Sequence, residues 1–231
     1  MLTLTTLASG SSGNSLLVSD GHTHLLVDAG ISCRRICNAL KGLGVEPAEL
    51  AGILITHEHS DHIAGLTTLT KQRRLPVYAS WGTGRQLCDR IGCLEEVLHP
   101  FAPGECFSIG GLDVESFPTS HDAVESVGYA VSAGGRKAAV VTDLGYVSQA
   151  VRSGIRGADL LVAESNHDIE WLQSGPYPYY LKARILGERG HLSNEAGAEL
   201  ACEAAEHGAH PIVLAHLSHE NHTPARAYET A

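Results

Sequence analysis

The run His57-Glu58-His59-Ser60-Asp61-His62 constrains this chain more than any other stretch. It sets three imidazoles and two carboxylates within six residues, directly after the apolar segment 52–56, and His57, His59, Asp61 and His62 are the candidate ligands. An apolar, β-branched strand that breaks into a sharp polar loop aims His57 and His59 at one cation while Asp61 and His62 reach a second. Imidazole nitrogen with carboxylate oxygen suits Zn, Mn or Fe, and the run has no cysteine, which a closed structural zinc site would normally use. The outline is that of a catalytic two-metal site. A solvated histidine-rich turn does not account for an aspartate and three histidines at this spacing.

Each metal needs at least three protein groups and an open position, so more ligands are expected elsewhere. His121 follows the alternating segment 112–117, Asp143 follows the apolar segment 138–142, and His216 follows 211–215. Every candidate thus sits at the C-terminal end of a predicted strand, where sheet proteins present their chemistry. A metal-bound water has a pKa of about 7 instead of about 15.7, and two cations about 3.5–4 Å apart can clamp a phosphodiester. Both effects favour hydrolysis with a metal-bound hydroxide as nucleophile. Asp61 is a candidate to orient it, and Asp28, near Gly30, is a candidate partner for a histidine ring nitrogen.

Residues 1–231 read as a single domain, since 231 residues at 43% hydrophobic can bury one large core. Segments 3–7, 15–18 and 24–27 read as a strand meander. Ser32 caps a predicted helix through Leu43 ended by Gly44, Asp61 opens one through Lys71, and 85–91 is helical. Segment 105–142 divides into strands at Gly110-Gly111 and Gly134-Gly135, and Ser193 opens an alanine-rich helix before the last strand. No 18-residue apolar span or signal peptide is visible, so a cytoplasmic location without membrane contact is expected. The six cysteines contain no C-x-x-C pair and are expected as free thiols, with Cys33 and Cys37 packed on one helix face.

The order His57-x-His59-x-Asp61-His62, His121, Asp143, His216 resembles the metallo-β-lactamase superfamily over nearly the whole chain. That resemblance implies an α/β fold, a four-layer αββα sandwich, with one metal held by His57, His59 and His121. The second would be held by Asp61, His62 and His216, with Asp143 bridging. Within the superfamily the chain is most similar to the bacterial YycJ/WalJ group of predicted exonucleases. The supporting segments are Ala8-Ser9-Gly10-Ser11-Ser12-Gly13-Asn14, Val27-Asp28-Ala29-Gly30, Glu164-Ser165-Asn166-His167-Asp168, Gly190-His191-Leu192-Ser193-Asn194 and His216-Leu217-Ser218-His219-Glu220-Asn221. Flavin-partnered di-iron relatives carry a glutamate where this chain has His59, which favours hydrolysis over redox chemistry. Relatives continue into another helix after residues 221–231, so the chain is expected to be short at that end.

In tRNase Z-type phosphodiesterases of this superfamily, a histidine opening a helix assists departure of the leaving oxygen. Gly190-His191-Leu192-Ser193 has the same arrangement. With an ordinary pKa of about 6.5, His191 can donate a proton to a departing alkoxide, and Glu164, closing segment 159–164, is a candidate to orient it.

A net charge of -10 supplies no global basic field for nucleic acid, so affinity would come from local patches and the metals. Lys71-Gln72-Arg73-Arg74 is one patch. Tyr177-Pro178-Tyr179-Tyr180-Leu181-Lys182-Ala183-Arg184 interleaves aromatic and basic residues as a single-strand stacking platform does. Loop 9–14 is placed to offer backbone N–H groups to a phosphate. The YycJ/WalJ resemblance implies a dinuclear phosphodiesterase or exonuclease acting on nucleic acid, DNA ahead of RNA, with two divalent ions (Zn or Mn, Fe also compatible). Two alternatives stay open: a small-substrate thioester or lactone hydrolase, and a non-catalytic metal-dependent nucleic-acid-binding module.

Overall fold

Successive residues of a strand point to opposite faces, and in this chain both faces of the central strands are apolar. The computed structural model describes residues 1–231. In chain order the elements are β1 (Thr3–Ala8), β2 (Ser15–Ser19), β3 (His24–Val27), α1 (Cys33–Gly42), β4 (Leu50–Leu54), α2 (Ser60–Ile63), α3 (Leu66–Arg73), β5 (Val77–Ser80), α4 (Trp81–Arg90) and β6 (Leu98–Phe101). The second half comprises β7 (Cys106–Ile109), β8 (Leu112–Pro118), β9 (Val127–Ala133), β10 (Arg136–Val141), α5 (Gln149–Ile155), β11 (Leu160–Glu164), α6 (Ile169–Ser174), α7 (Tyr179–Ile185), α8 (Asn194–Glu206), β12 (Ile212–Ala215) and α9 (Pro224–Thr230). Strands β1 to β6 form one six-stranded sheet in sequential order, and β7 to β12 form a second. In the first, β1 to β3 are antiparallel and β3 to β6 parallel. In the second, β7 to β10 form an antiparallel meander, and β10 to β12 are parallel.

Three apolar clusters separate four layers. Leu16, Val18, Leu25, Val27 and Leu54 of the first sheet meet Leu112, Val114, Val127, Tyr129, Val140 and Val162 of the second. Alternate residues turn outward: Leu17, Leu26 and Ile53 pack with Ile36 and Leu40 of α1, Leu69 of α3 and Leu87 of α4. On the other side Ala130, Ala139 and Leu161 pack with Val151 and Ile155 of α5 and Leu200 of α8. The fold is therefore the α/β αββα sandwich. Each fully buried Val or Leu contributes about 1.5–3 kcal/mol, and a one-residue slip would exchange the two faces of a strand, so the register is strongly specified. No helix is long and apolar enough to cross a membrane.

Three local features depart from the sequence reading. The single helix expected over 61–71 is interrupted between α2 and α3, where the Gly65 N–H donates to Ala29 O (2.8 Å). A Cβ on Gly65 would lie 2.4 Å from Ile31 O, because the turn after β3 runs against the chain there. Helix α4 starts at Trp81, ahead of the expected residue 85, with Ser80 Oγ accepting from the Thr83 N–H (3.4 Å). Its glycines mask it in a propensity reading. Strands β5 and β6 are not expected from the sequence, since β5 follows Pro76 and β6 contains His99-Pro100, which interrupt the apolar pattern.

Because β8 and β10 are both antiparallel to β9, they run in the same direction as β11 and β12. Strands β3 and β4 run together in the other sheet. The polar segments that follow these strand ends meet at one edge of the sandwich.

Candidate metal centre

Asp28 follows β3, His57 to His62 follow β4, His121 follows β8, Asp143 follows β10, Glu164 closes β11 and His216 follows β12. Asp28, Asp143 and His216 have φ of 61°, 60° and 56°. This left-handed region costs a non-glycine residue of order 1–3 kcal/mol, and Asp and His are among the residues enriched there.

The candidate side chains fall into overlapping groups. His57, His59 and His121 offer donor atoms within 4.8 Å of one another, as do His57, His62 and Asp143, and Asp61, His62 and His216. His59 Nδ1 is 3.3 Å from His121 Nε2. His62 Nε2 lies 3.4 Å from Asp61 Oδ2 and 3.3 Å from Asp143 Oδ2. His216 Nε2 lies 3.5 Å from both Asp61 Oδ2 and Asp143 Oδ1. Asp143 Oδ1 is also 3.8 Å from His121 Nε2, so this carboxylate stands between the groups.

The rings are held from behind. His62 Nδ1 donates to Asp28 Oδ2 (2.8 Å), and Asp28 also accepts from the Thr56 N–H (2.9 Å) and Oγ1. His121 Nδ1 donates to Gly190 O (3.1 Å), and His216 Nδ1 to Glu164 Oε1 (2.8 Å). A ring whose outer nitrogen donates in this way turns its Nε2 inward as a lone-pair donor when neutral. Asp28, which sequence reasoning marked as a ring partner, thus belongs to His62.

Burial, then the neighbouring His62 charge, holds His57 well below its ordinary pKa, and burial lowers His121 too. Burial also opposes charge on His216, but Asp143, Asp61 and Glu164 outweigh it and push His216 up to about 10. His62 is raised against burial by Asp143 and Asp28. His57 and His121 are thus biased toward the neutral form and His62 and His216 toward the charged form beside carboxylates, where a divalent cation can take the protons' place.

His57 Nε2 and Asp143 Oδ2 are buried and make no hydrogen bond. Such an atom costs about 1–3 kcal/mol, more if charged. A cation coordinated there removes that cost. The donors are all imidazole or carboxylate, a set that fits a divalent ion such as Zn, Mn or Fe.

His191 lies beside this cluster. Its Nδ1 donates to Glu164 Oε1 (2.9 Å) and is 3.6 Å from Asp143 Oδ1. Glu164 Oε2 accepts from the Leu144 N–H (3.2 Å) and the Leu192 N–H (2.9 Å). With two imidazoles on one oxygen and two amides on the other, Glu164 is saturated and acts as a holder of rings. Against burial, His191 and His216 keep its carboxyl at about 2.

A cleft of about 210 Å³ opens over the centre, walled on one side by Tyr177, Leu181 and Arg184 and on the other by Ser11, Asn166 and Ser218. Two of the segments singled out in the sequence therefore reach it: the aromatic-basic stretch 177–184 and the loop 9–14. The basic run Lys71 to Arg74 lines no part of the cleft, and Arg74 pairs with Glu96 (2.5 Å). Cys33 and Cys37 sit with their sulfurs 3.9 Å apart and take no part in the centre.

The sequence reading passed over several neighbours. Glu58, inside the histidine motif, is buried, and its Oε1 accepts from the Val124 N–H (3.0 Å) while its Oε2 accepts from Thr83 Oγ1 (3.4 Å). It ties the loop of His57 and His59 to the loop of His121. Glu58→Ala is expected to weaken metal binding by the His57, His59 and His121 group by about tenfold or more. Glu58→Gln, which keeps an acceptor, should remain near wild type in the same metal titration. Asn14 Nδ2 lies 3.2 Å from His62 Nε2. Gly30 is pressed so closely on the motif that a Cβ would lie 1.6 Å from Asp61 O and 2.6 Å from the Asn14 nitrogen. Gly30→Ala should therefore destabilise the fold by at least about 3 kcal/mol in denaturant unfolding, since backbone must move on both sides.

The Beta-lactamase superfamily domain family matches residues 23–217, a span that includes every candidate ligand. The chain belongs to the metallo-β-lactamase superfamily and is a metal-dependent hydrolase of that class. It is 42% identical over 218 residues to exodeoxyribonuclease YycJ of Bacillus anthracis, covering 93% of this chain and 82% of that protein. To exodeoxyribonuclease WalJ of Streptococcus pneumoniae it is 40% identical over 227 residues, covering 97% of this chain and 84% of the relative. The metallo-β-lactamase fold protein YhfI of Bacillus subtilis has the same architecture, with a TM-score of 0.75 at 20% identity over 99% of this chain and 90% of that structure.

Proposed function

We propose that this chain is a dinuclear phosphodiesterase that removes nucleotides from DNA ends. The observation that carries the reading is the placing of Asp143 between two donor groups, with a Glu164-held His191 3.6 Å from it. The 40–42% identity to proteins named exodeoxyribonucleases supports DNA as the substrate. In this reading His57, His59 and His121 would hold one ion and Asp61, His62 and His216 the other, with the Asp143 carboxylate available to both. Two divalent ions, Zn or Mn, supply Lewis acidity, making water more acidic and offsetting phosphodiester charge. Asp61, whose side chain is 23% exposed, orients the attacking water. His191 gives a proton to the departing oxygen, its charged form favoured by Glu164 and Asp143 over the burial that opposes it. Six free cysteines fit a reducing compartment, the cytoplasm.

The test is incubation of Zn- or Mn-loaded protein with 5′- and 3′-labelled single-stranded and duplex oligonucleotides. Stepwise shortening from one end is expected. Binding without cleavage would favour a non-catalytic module, and hydrolysis of an acyl thioester with no diester cleaved would favour the small-substrate alternative. Either result would sink the proposal.

A further inference from the structure

Arg184 is the one arginine or lysine among the residues lining the cleft, in a chain of net charge -10. Other cations nearby are committed elsewhere: Arg189 donates Nε to His121 O and Nη2 to Ala123 O (both 3.1 Å), and Lys182 Nζ donates to Gln173 O (2.7 Å). Arg184 stands on α7, sharing a face with Leu181 across one helical turn. Its Nε and Nη2 both point to the carboxylate of Asp122, the latter at 3.2 Å from Oδ1. Asp122 Oδ1 is also 3.4 Å from His121 Nε2. Arg184 is thereby parked at the border of the metal centre by a partner that is itself partly exposed.

A guanidinium has five N–H donors, and this carboxylate engages its Nε and Nη2 along one edge only. The Arg184 side chain is 53% exposed and that of Asp122 28%, so solvent screens this two-point ion pair. A phosphate can join it through the N–H groups that Asp122 leaves free. Ions held at the centre would offset charge only on the phosphate being cut, whereas each neighbouring phosphate brings its own charge to a negatively charged protein. The opposite wall, with Ser11, Asn166 and Ser218, offers neutral donors alone.

We infer that Arg184 is a subsite for a non-scissile phosphate, selecting a polynucleotide strand over an isolated diester. This rests on the phosphodiesterase reading above. The experiment compares metal-loaded wild-type, Arg184→Ala and Arg184→Lys proteins on a single-stranded oligonucleotide and on bis-p-nitrophenyl phosphate, which has no second phosphate, across a range of salt. In Arg184→Ala the ratio of kcat/KM for the oligonucleotide to that for the small diester should fall about tenfold. The log–log salt dependence of the oligonucleotide KM should become shallower by about 0.7–0.9, the loss of one phosphate contact. Arg184→Lys should retain the wild-type slope, and both variants should retain the wild-type metal content. An unchanged ratio or slope in Arg184→Ala would overturn the subsite. So would a slope lost equally in Arg184→Lys, or a metal content that falls in Arg184→Ala. A wild-type protein that cleaves neither diester would overturn the underlying reading instead.

Discussion

Asp143→Asn is expected to cost the protein at least one bound metal ion and more than about 100-fold in metal affinity, a larger loss than removing a supporting hydrogen bond. Oligonucleotide cleavage should fall to background while far-UV circular dichroism stays native. The reason lies in the carboxylate's position: Asp143 is fully buried, its Oδ2 makes no hydrogen bond, and its Oδ1 lies 3.5 Å from His216 Nε2 and 3.8 Å from His121 Nε2. An amide keeps the volume and removes the charge that both donor groups face. Elemental analysis after reconstitution, beside a cleavage assay, measures the outcome. Two ions bound tightly by Asp143→Asn would remove that residue from the centre. His59→Ala should likewise abolish turnover with the fold kept, because His59 is only partly buried and contributes no core packing.

His191→Ala should lower kcat on an oligonucleotide by about 10²–10⁴-fold, the usual contribution of a positioned general acid, with metal content unchanged. Glu164 and Asp143 raise the His191 pKa above 6.5 against burial. A group that works in its protonated form loses that form as pH rises through its pKa, so the wild-type rate should decline on the alkaline side. The variant should lack that decline. Bis-p-nitrophenyl phosphate, whose leaving group departs without a proton, should suffer much less. Wild-type oligonucleotide cleavage by His191→Ala would take this histidine out of the mechanism.

The centre was legible in the sequence to the extent that its chemistry is rare. Imidazoles and carboxylates placed right after apolar, β-branched segments have few other uses, so His121, Asp143 and His216 could be paired with the histidine motif while 59 or more residues away from His62. The continuous apolar runs of β2 and β3 likewise marked strands, which the fold buries on both faces. Where elements are short or broken, local pattern was insufficient. Strand β6 carries His99-Pro100 within its four residues and β5 follows Pro76, so neither shows a clean apolar run, and the break at Gly65 is imposed by Ile31, which only the fold brings there.

The class of chemistry could be read from the linear chain, because the identity and order of candidate metal-binding side chains are local facts. Tertiary structure decided which nitrogen of each ring faces inward and which charge stands over the cleft. Asp28 reaches His62, Gly190 O reaches His121, Glu58 reaches Val124 and Asp122 reaches Arg184 across long separations in the chain. Hydrogen bonds of that kind depend on angstrom-scale distances between strand ends, which exist only after two sheets have packed and which no periodicity in a linear sequence encodes.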